Sequence, residues 1–152
     1  MKRLYILAVI AVMFAVSASA QVTKFFDKYA DVEDVTNVYI SKTMLRLMPD
    51  IKTDDMDLKG LGEKLDCIRI LTSVKSSMVS KLKPELAKAV KSSAYEQLVN
   101  VNEGKENTNI YMKSGDNGVY DYLIVNEDPS KFNAILIVGT LTPADVQKMM
   151  GK

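Results

Sequence analysis

The sequence predicts an α+β domain: a mostly antiparallel five- or six-stranded sheet with helices packed on one face. Three observations lead there. The second half is a succession of short β-prone runs separated by turn-forming residues. Apolar stripes at helical spacing fall between or after those runs. No repeat, low-complexity run or Gly/Ser linker divides the chain, so a single core is expected.

Residues 1–20 stand apart from that domain. Lys2 and Arg3 precede an apolar run from Leu4 to Val16, and Ser17-Ala18-Ser19-Ala20 leads into Gln21. A basic start, an apolar stretch and a small-residue site form the pattern of a secretory signal peptide, with Ala18, Ala20 and Gln21 marking the cleavage point. As a helix the apolar run reaches about 20 Å, short of the ~30 Å hydrocarbon core of a membrane. The only cysteine is Cys67, so no lipid-attachment cysteine follows the run. The expected organisation is a cleaved signal peptide (1–20) and one α+β domain (21–152). The product would be periplasmic, or alternatively secreted or surface-located, with no stable membrane anchor after cleavage. Loss of Lys2 and Arg3 takes the formal charge from +1 to −1, which supplies no field for nucleic acid.

The elements follow in order. A short helix opens the domain, with Thr23 as its expected cap and Phe25, Phe26 and Tyr29 as its apolar side. Thr36–Ile40 reads as a strand, with Val38 and Ile40 on one face and Asn37 and Tyr39 on the other. Ser41 suits the N-cap of a second helix whose stripe is Met44, Leu45 and Met48, closed by Pro49. Residues 49–63 form the best candidate loop. Leu65–Ser73 is the next strand, with Cys67 as a small buried side chain. Residues 76–92 are helical, with Met78, Val79, Leu82, Leu86, Ala89 and Val90 on one face. Lys81, Lys88 and Lys91 point outward, and Pro84 is expected to kink the helix.

Tyr95–Asn102, Thr108–Lys113, Val119–Val125 and Phe132–Thr140 then form a meander. Glycine, asparagine and proline in the breaks supply turn geometry. Ala134–Val138 is apolar at both parities and is expected to be buried on both faces. Thr142, Pro143 and Asp145 make a capping box for a last helix, with Leu141 stapled onto Val146 and Met149 and Met150 returning to the core. Leu65–Val99 resembles one βαβ unit, right-handed if its strands are parallel neighbours.

The chemistry is bounded by what is missing. Without a histidine the chain has no Ser-His-Asp or Cys-His pair and none of the usual zinc sites. No catalytic, cofactor or metal residue is assigned, and no cofactor is expected. An EF-hand alignment starting at Asp55 puts Lys59 at a ligand position and Asp66 at the last one, so Asp54, Asp55, Asp57 and Glu63 read as a solvated acidic loop. Ser114–Gly118 joins two strands and reads as a hairpin turn, not an anion-binding loop. Tyr111, Tyr120 and Tyr122 flank that hairpin and read first as β-formers that make cross-strand pairs or lie under a helix, with a candidate recognition surface as the alternative role. Asp66, Arg69, Glu96 and Asp121 are charged residues inside predicted strands, where a carboxylate mechanism would first be sought.

Several short segments also carry a family resemblance: Phe26-Asp27-Lys28-Tyr29; Val38-Tyr39-Ile40-Ser41-Lys42 with Met44 and Leu47-Met48; Lys64-Leu65-Asp66 with Ile68-Arg69-Ile70-Leu71; Tyr95-Glu96-Gln97-Leu98; and Gly139 before the last helix. In this spacing the chain resembles an exported Bacteroidota family catalogued as domain of unknown function 4252. The resemblance implies export and no catalytic residues. Many relatives look like lipoproteins, and the absent lipid-attachment cysteine departs from that pattern. Some resemble proteins encoded near extracytoplasmic sigma-factor systems. The functional expectation is a non-enzymatic binding module of the cell envelope, whose partner is an envelope protein, a peptide or a small ligand. The alternatives are an envelope component of a sigma-factor system and a carboxylate- or lysine-dependent hydrolase or lyase.

Overall fold

The computed structural model describes residues 21–48 and 61–150. Its elements are α1 (Gln21–Lys28), β1 (Thr36–Ser41), α2 (Lys42–Leu47), β2 (Leu65–Ser73), α3 (Ser76–Lys91), β3 (Glu96–Glu103), β4 (Glu106–Ser114), β5 (Tyr120–Glu127), β6 (Phe132–Gly139) and α4 (Pro143–Met150). The strands form one six-stranded sheet in the order β1-β2-β6-β5-β4-β3. Every neighbouring pair is antiparallel. The domain is α+β, as the sequence predicts.

The helices divide over both faces of the sheet, where the sequence reading put them on one. The cause lies in β6. Phe132, Ala134 and Leu136 point to one side and Ile135 and Ile137 to the other, all five buried, so each face needs a cover. On the first face Leu71, Leu123, Val125 and Leu136 pack under Phe25 and Phe26 from α1, Tyr29 directly after it, and Val79, Leu82 and Leu86 from α3. On the second, Ile68, Tyr122 and Ile137 pack under Leu45 of α2 and Leu141 and Val146 at α4.

Strands β2 and β3 run in the same direction but are separated by β6, β5 and β4. They are therefore not the neighbours that a simple βαβ unit would make them. β3 suits the edge: all eight of its residues are exposed, and glutamates stand at both its ends.

Local expectations fared unevenly. The Ser41 hydroxyl accepts from the Met44 amide at 3.3 Å, capping α2 as expected. The α2 stripe does not hold, because Leu45 is fully buried while Met44 and Met48 are exposed. Six residues make less than two turns, which turns only one side chain fully onto the sheet. Thr23 lies inside α1, which begins at Gln21, so it is not the cap. α3 runs unbroken through Pro84. The acidic capping box at α4 is formed: Asp145 accepts from the Thr142 amide at 3.0 Å, and the Asp145 amide donates to the Thr142 hydroxyl at 3.3 Å. Cys67 is half-buried, and burial first of all pushes its thiol up. Pro49 and the acidic run Asp54, Asp55 and Asp57 lie outside the described residues, as do the cleavage residues Ala18 and Ala20 and the side chains of Met149 and Met150.

Candidate functional site

The second face of the sheet can be assembled row by row from the strand registers. One row crosses all six strands as Val38, Ile70, Ile135, Ile124, Ile110 and Val99. Every member is β-branched, the residue type that packs best on a pleated surface. The neighbouring row towards the α2 and α4 end is Ile40, Ile68, Ile137, Tyr122 and Met112, and the helices lie over it. The row on the other side is Thr36, Thr72, Asn133, Asn126, Thr108 and Val101, polar except at its last position.

Helices α2 and α4 thus cover one end of this face, and no other described helix lies over the rest, where Ile110 and Ile135 are nevertheless buried. Val38, Val99 and Val101 are 39%, 38% and 41% exposed. Over β3–β6 this part forms a trough of about 430 Å³, whose described lining consists of strand residues: Val99, Val101, Ile110, Ile124 and Ile135 as its apolar surface, and Thr108, Asn126 and Asn133 as a polar flank. Glu103 and Glu106 also line it, directly opposite each other across the β3–β4 hairpin. Gly104 makes that hairpin with φ of +63°, a conformation that glycine adopts without strain. Among the described residues no lysine or arginine lines the trough.

The three tyrosines do not share one surface. Tyr120 and Tyr122 are on the second face with ring centres 6.1 Å apart, whereas Tyr111 packs at the margin of the first-face core. Tyr122 is 1% exposed and its hydroxyl donates to the Leu141 carbonyl at 2.9 Å, which ties the approach to α4 onto the sheet. It is a packing residue, and the candidate recognition surface loses its central member. Strand alternation puts Tyr120 and Tyr122 together, but only the position of α4 decides that Tyr122 is covered.

The charged strand residues are mostly engaged in packing. Asp66 pairs with Lys42 at 3.1 Å, and Arg69 pairs with Asp27 at 2.6 Å while lying over the rings of Phe26 and Tyr39. Asp121 accepts from the Tyr95 hydroxyl at 3.2 Å. Burial lifts the Asp121 carboxyl above its ordinary value, against the Tyr95 hydrogen bond and the Lys113 charge, which both lower it. Between α1 and α3, burial and the Glu85 carboxylate push Tyr29 up to about 12. Glu85 itself is held low: burial opposes this, but hydrogen bonds from Lys28 and Tyr29 prevail.

On the first face of the β3–β4 hairpin, Gln97, Asn100, Asn102, Asn107 and Asn109 bond to one another through their side-chain amides. Among the described residues no three acidic, cysteine or histidine side chains converge as metal ligands. None of the described helices is long and apolar enough to cross a membrane.

The sequence reading passed over the trough. Its signal was the alternation Val99-Asn100-Val101-Asn102 in β3 together with Thr108-Asn109-Ile110 in β4, which gives the hairpin an apolar face and an amide face.

These features define a class: an α+β domain whose antiparallel sheet is helix-covered on one face and, among the described residues, only partly helix-covered on the other, with a trough beside the helices. The match to known families is specific. Residues 29–149 match the family described as Domain of unknown function (DUF4252), and the chain belongs to that family. No curated protein and no solved structure matches the chain.

Proposed function

We propose that this chain is a non-enzymatic binding module of the cell envelope, exported by its N-terminal segment and acting through the trough on the second sheet face. The observation that carries the reading is the trough itself. Its ~430 Å³ lies in the range of small-molecule sites, and its few polar groups flank an apolar surface, as in sites that bind by burial and orient by hydrogen bonds. The signal-peptide pattern supports export. A role as the envelope component of a sigma-factor circuit is compatible with such a module, the bound ligand being the signal.

The second reading, a carboxylate-dependent hydrolase, draws on Glu103 and Glu106, which share the trough. General-acid work needs a carboxyl set in an apolar pocket, whereas both glutamates stand exposed near the hairpin tip. Binding is therefore the better reading.

The test is calorimetric titration of the 21–152 protein with decyl maltoside, a neutral chain, below its micellar concentration. One saturable site is expected, and the variant Val99→Asn/Val101→Asn should lose it while keeping its fold, since both valines are already well exposed. Absence of saturation, or equal binding by the folded variant, would overturn the reading.

A further inference from the structure

We infer that the groove between α1 and α3 binds a compact oxyanion of two or more negative charges, the chemistry shared by phosphate esters and di- or tricarboxylates. The site lies apart from the trough and does not depend on the binding reading above. Helix register, the charge of the lining and the size of the space all point there.

The two helices meet in matching patterns. α1 lines the groove with Gln21, Lys24, Phe25 and Lys28, and α3 lines it with Glu85, Lys88 and Ala89, followed by Ser92 at its cap. Each set falls at i, i+3, i+4 and i+7, which is one stripe of a helix. At one end Lys28 meets Glu85 at 2.5 Å. Gln21 and Ser92, each seven residues from that contact along its own helix, line the same space, so the helices run antiparallel along the groove. Counted from the Lys28–Glu85 contact, Lys24 lies ~6 Å along α1 and Lys88 ~4.5 Å along α3, which sets the two lysines nearly level with each other. Phe25 and Ala89, both buried, form the floor.

The lining is cationic. Among its described residues three are lysines and one is a glutamate. Glu85 is already engaged, accepting from both the Lys28 ammonium and the Tyr29 hydroxyl. Lys24 and Lys88 are exposed and have no ion-pair partner among the described residues. Their charges oppose each other across the groove, and an oxyanion between them replaces that repulsion by two attractive contacts. α1 begins and α3 ends at the Gln21–Ser92 end, so the helix dipoles offset there and the lysines set the sign of the field.

Size and net charge choose the occupant. The space is about 300 Å³, at the small end of ligand sites. Its length along the helices is ~10 Å, which suits a small molecule. Residues 21–152 carry a formal charge of −1, so the domain as a whole offers an anionic surface or polymer no long-range attraction.

NMR titration of the isotope-labelled 21–152 protein with inorganic phosphate and with citrate, chloride balancing the ionic strength, tests this site. Amide signals of residues 21–28 and 85–92 should shift and saturate, citrate binding tighter than phosphate because it carries more charge. Lys24→Gln/Lys88→Gln, at exposed helical positions, should keep the urea midpoint and weaken citrate roughly tenfold, the scale of two close charge contacts partly screened by salt. Lys105→Gln/Lys131→Gln removes the same charge from exposed loops and should leave citrate binding unchanged. Scattered or unsaturated shifts, citrate binding untouched in Lys24→Gln/Lys88→Gln, or an equal loss in both double variants would each overturn the site. Binding to phosphatidylglycerol vesicles without binding of citrate or phosphate would overturn the small-oxyanion assignment in favour of a lipid surface.

Discussion

Replacing Gly139 by alanine tests the packing that joins the end of β6 to the start of β2. A Cβ at position 139 would stand 2.2 Å from the Lys64 carbonyl oxygen and 3.0 Å from the Leu65 Cα. Carbon–oxygen contacts normally begin near ~3.3 Å, so the two backbones must part by about 1 Å. The Thr140 amide donates to that same Lys64 carbonyl at 2.8 Å, and the displacement takes it out of hydrogen-bond range. Overpacking costs about 1–3 kcal/mol and the lost hydrogen bond about 0.5–1.5 kcal/mol, which together give roughly 2–4 kcal/mol. Urea unfolding followed by circular dichroism should show a lower midpoint with an unchanged slope.

The control is Gly104→Ala. There φ is +63° but nothing lies within 4 Å of the added methyl, so only the left-handed penalty of about 1–2 kcal/mol applies. A Gly139→Ala cost below about 1 kcal/mol, or one no larger than that of Gly104→Ala, would refute the close-approach argument, because it would mean the β2–β6 junction yields without strain.

Two further outcomes follow from the same structure. Tyr122→Phe leaves the buried ring in place but orphans the Leu141 carbonyl, so stability should fall by about 1 kcal/mol with an unchanged urea slope; a neutral result would remove the hydroxyl from the account of how α4 is held. Burial raises the Asp121 carboxyl above its ordinary 3.8, so the native state holds that proton more tightly than the unfolded chain does, and the contribution of Asp121 to stability declines as pH rises through this window. Relative to Asp121→Asn, the wild type should therefore lose stability as pH rises above the ordinary aspartate value of 3.8; urea midpoints in pH steps check this, and a relative gain on raising the pH would reverse the sign of the argument.

Much of the fold was legible because it depends on neighbours in sequence. The capping box at Thr142 and Asp145 involves groups three residues apart, and the strands announce themselves by alternation. The two-faced burial of Ala134–Val138 could be read directly from its unbroken apolar run, and that run implied cover on both sides of the sheet. The one-face expectation overlooked the implication. The α2 stripe misled for a related reason: spacing tells which side chains share a side of a helix, not whether the helix is long enough or close enough to bury them. Met44 and Met48 share a side with Leu45 in sequence terms, yet only Leu45 reaches the sheet.

The candidate site was less legible. The Tyr120–Tyr122 pair followed from period-two geometry, but its burial depended on Leu141, a residue nineteen positions away that packs on it only after α4 has docked. The trough depended on six strands adopting one order, so that isoleucines and valines from distant segments fell into a single row.

The sequence by itself determined the α+β class, the identity and approximate extent of each strand, the turns between them and the absence of histidine chemistry. Local sterics, alternation and hydrogen bonding decide all of these within a few residues. Only the tertiary structure decided that β6 enters between β2 and β5, that α1 and α3 share one face while α2 and α4 share the other, and that α2 and α4 cover only one end of the second face. Those outcomes rest on which apolar surfaces meet across the whole chain, a competition for burial that no single segment contains.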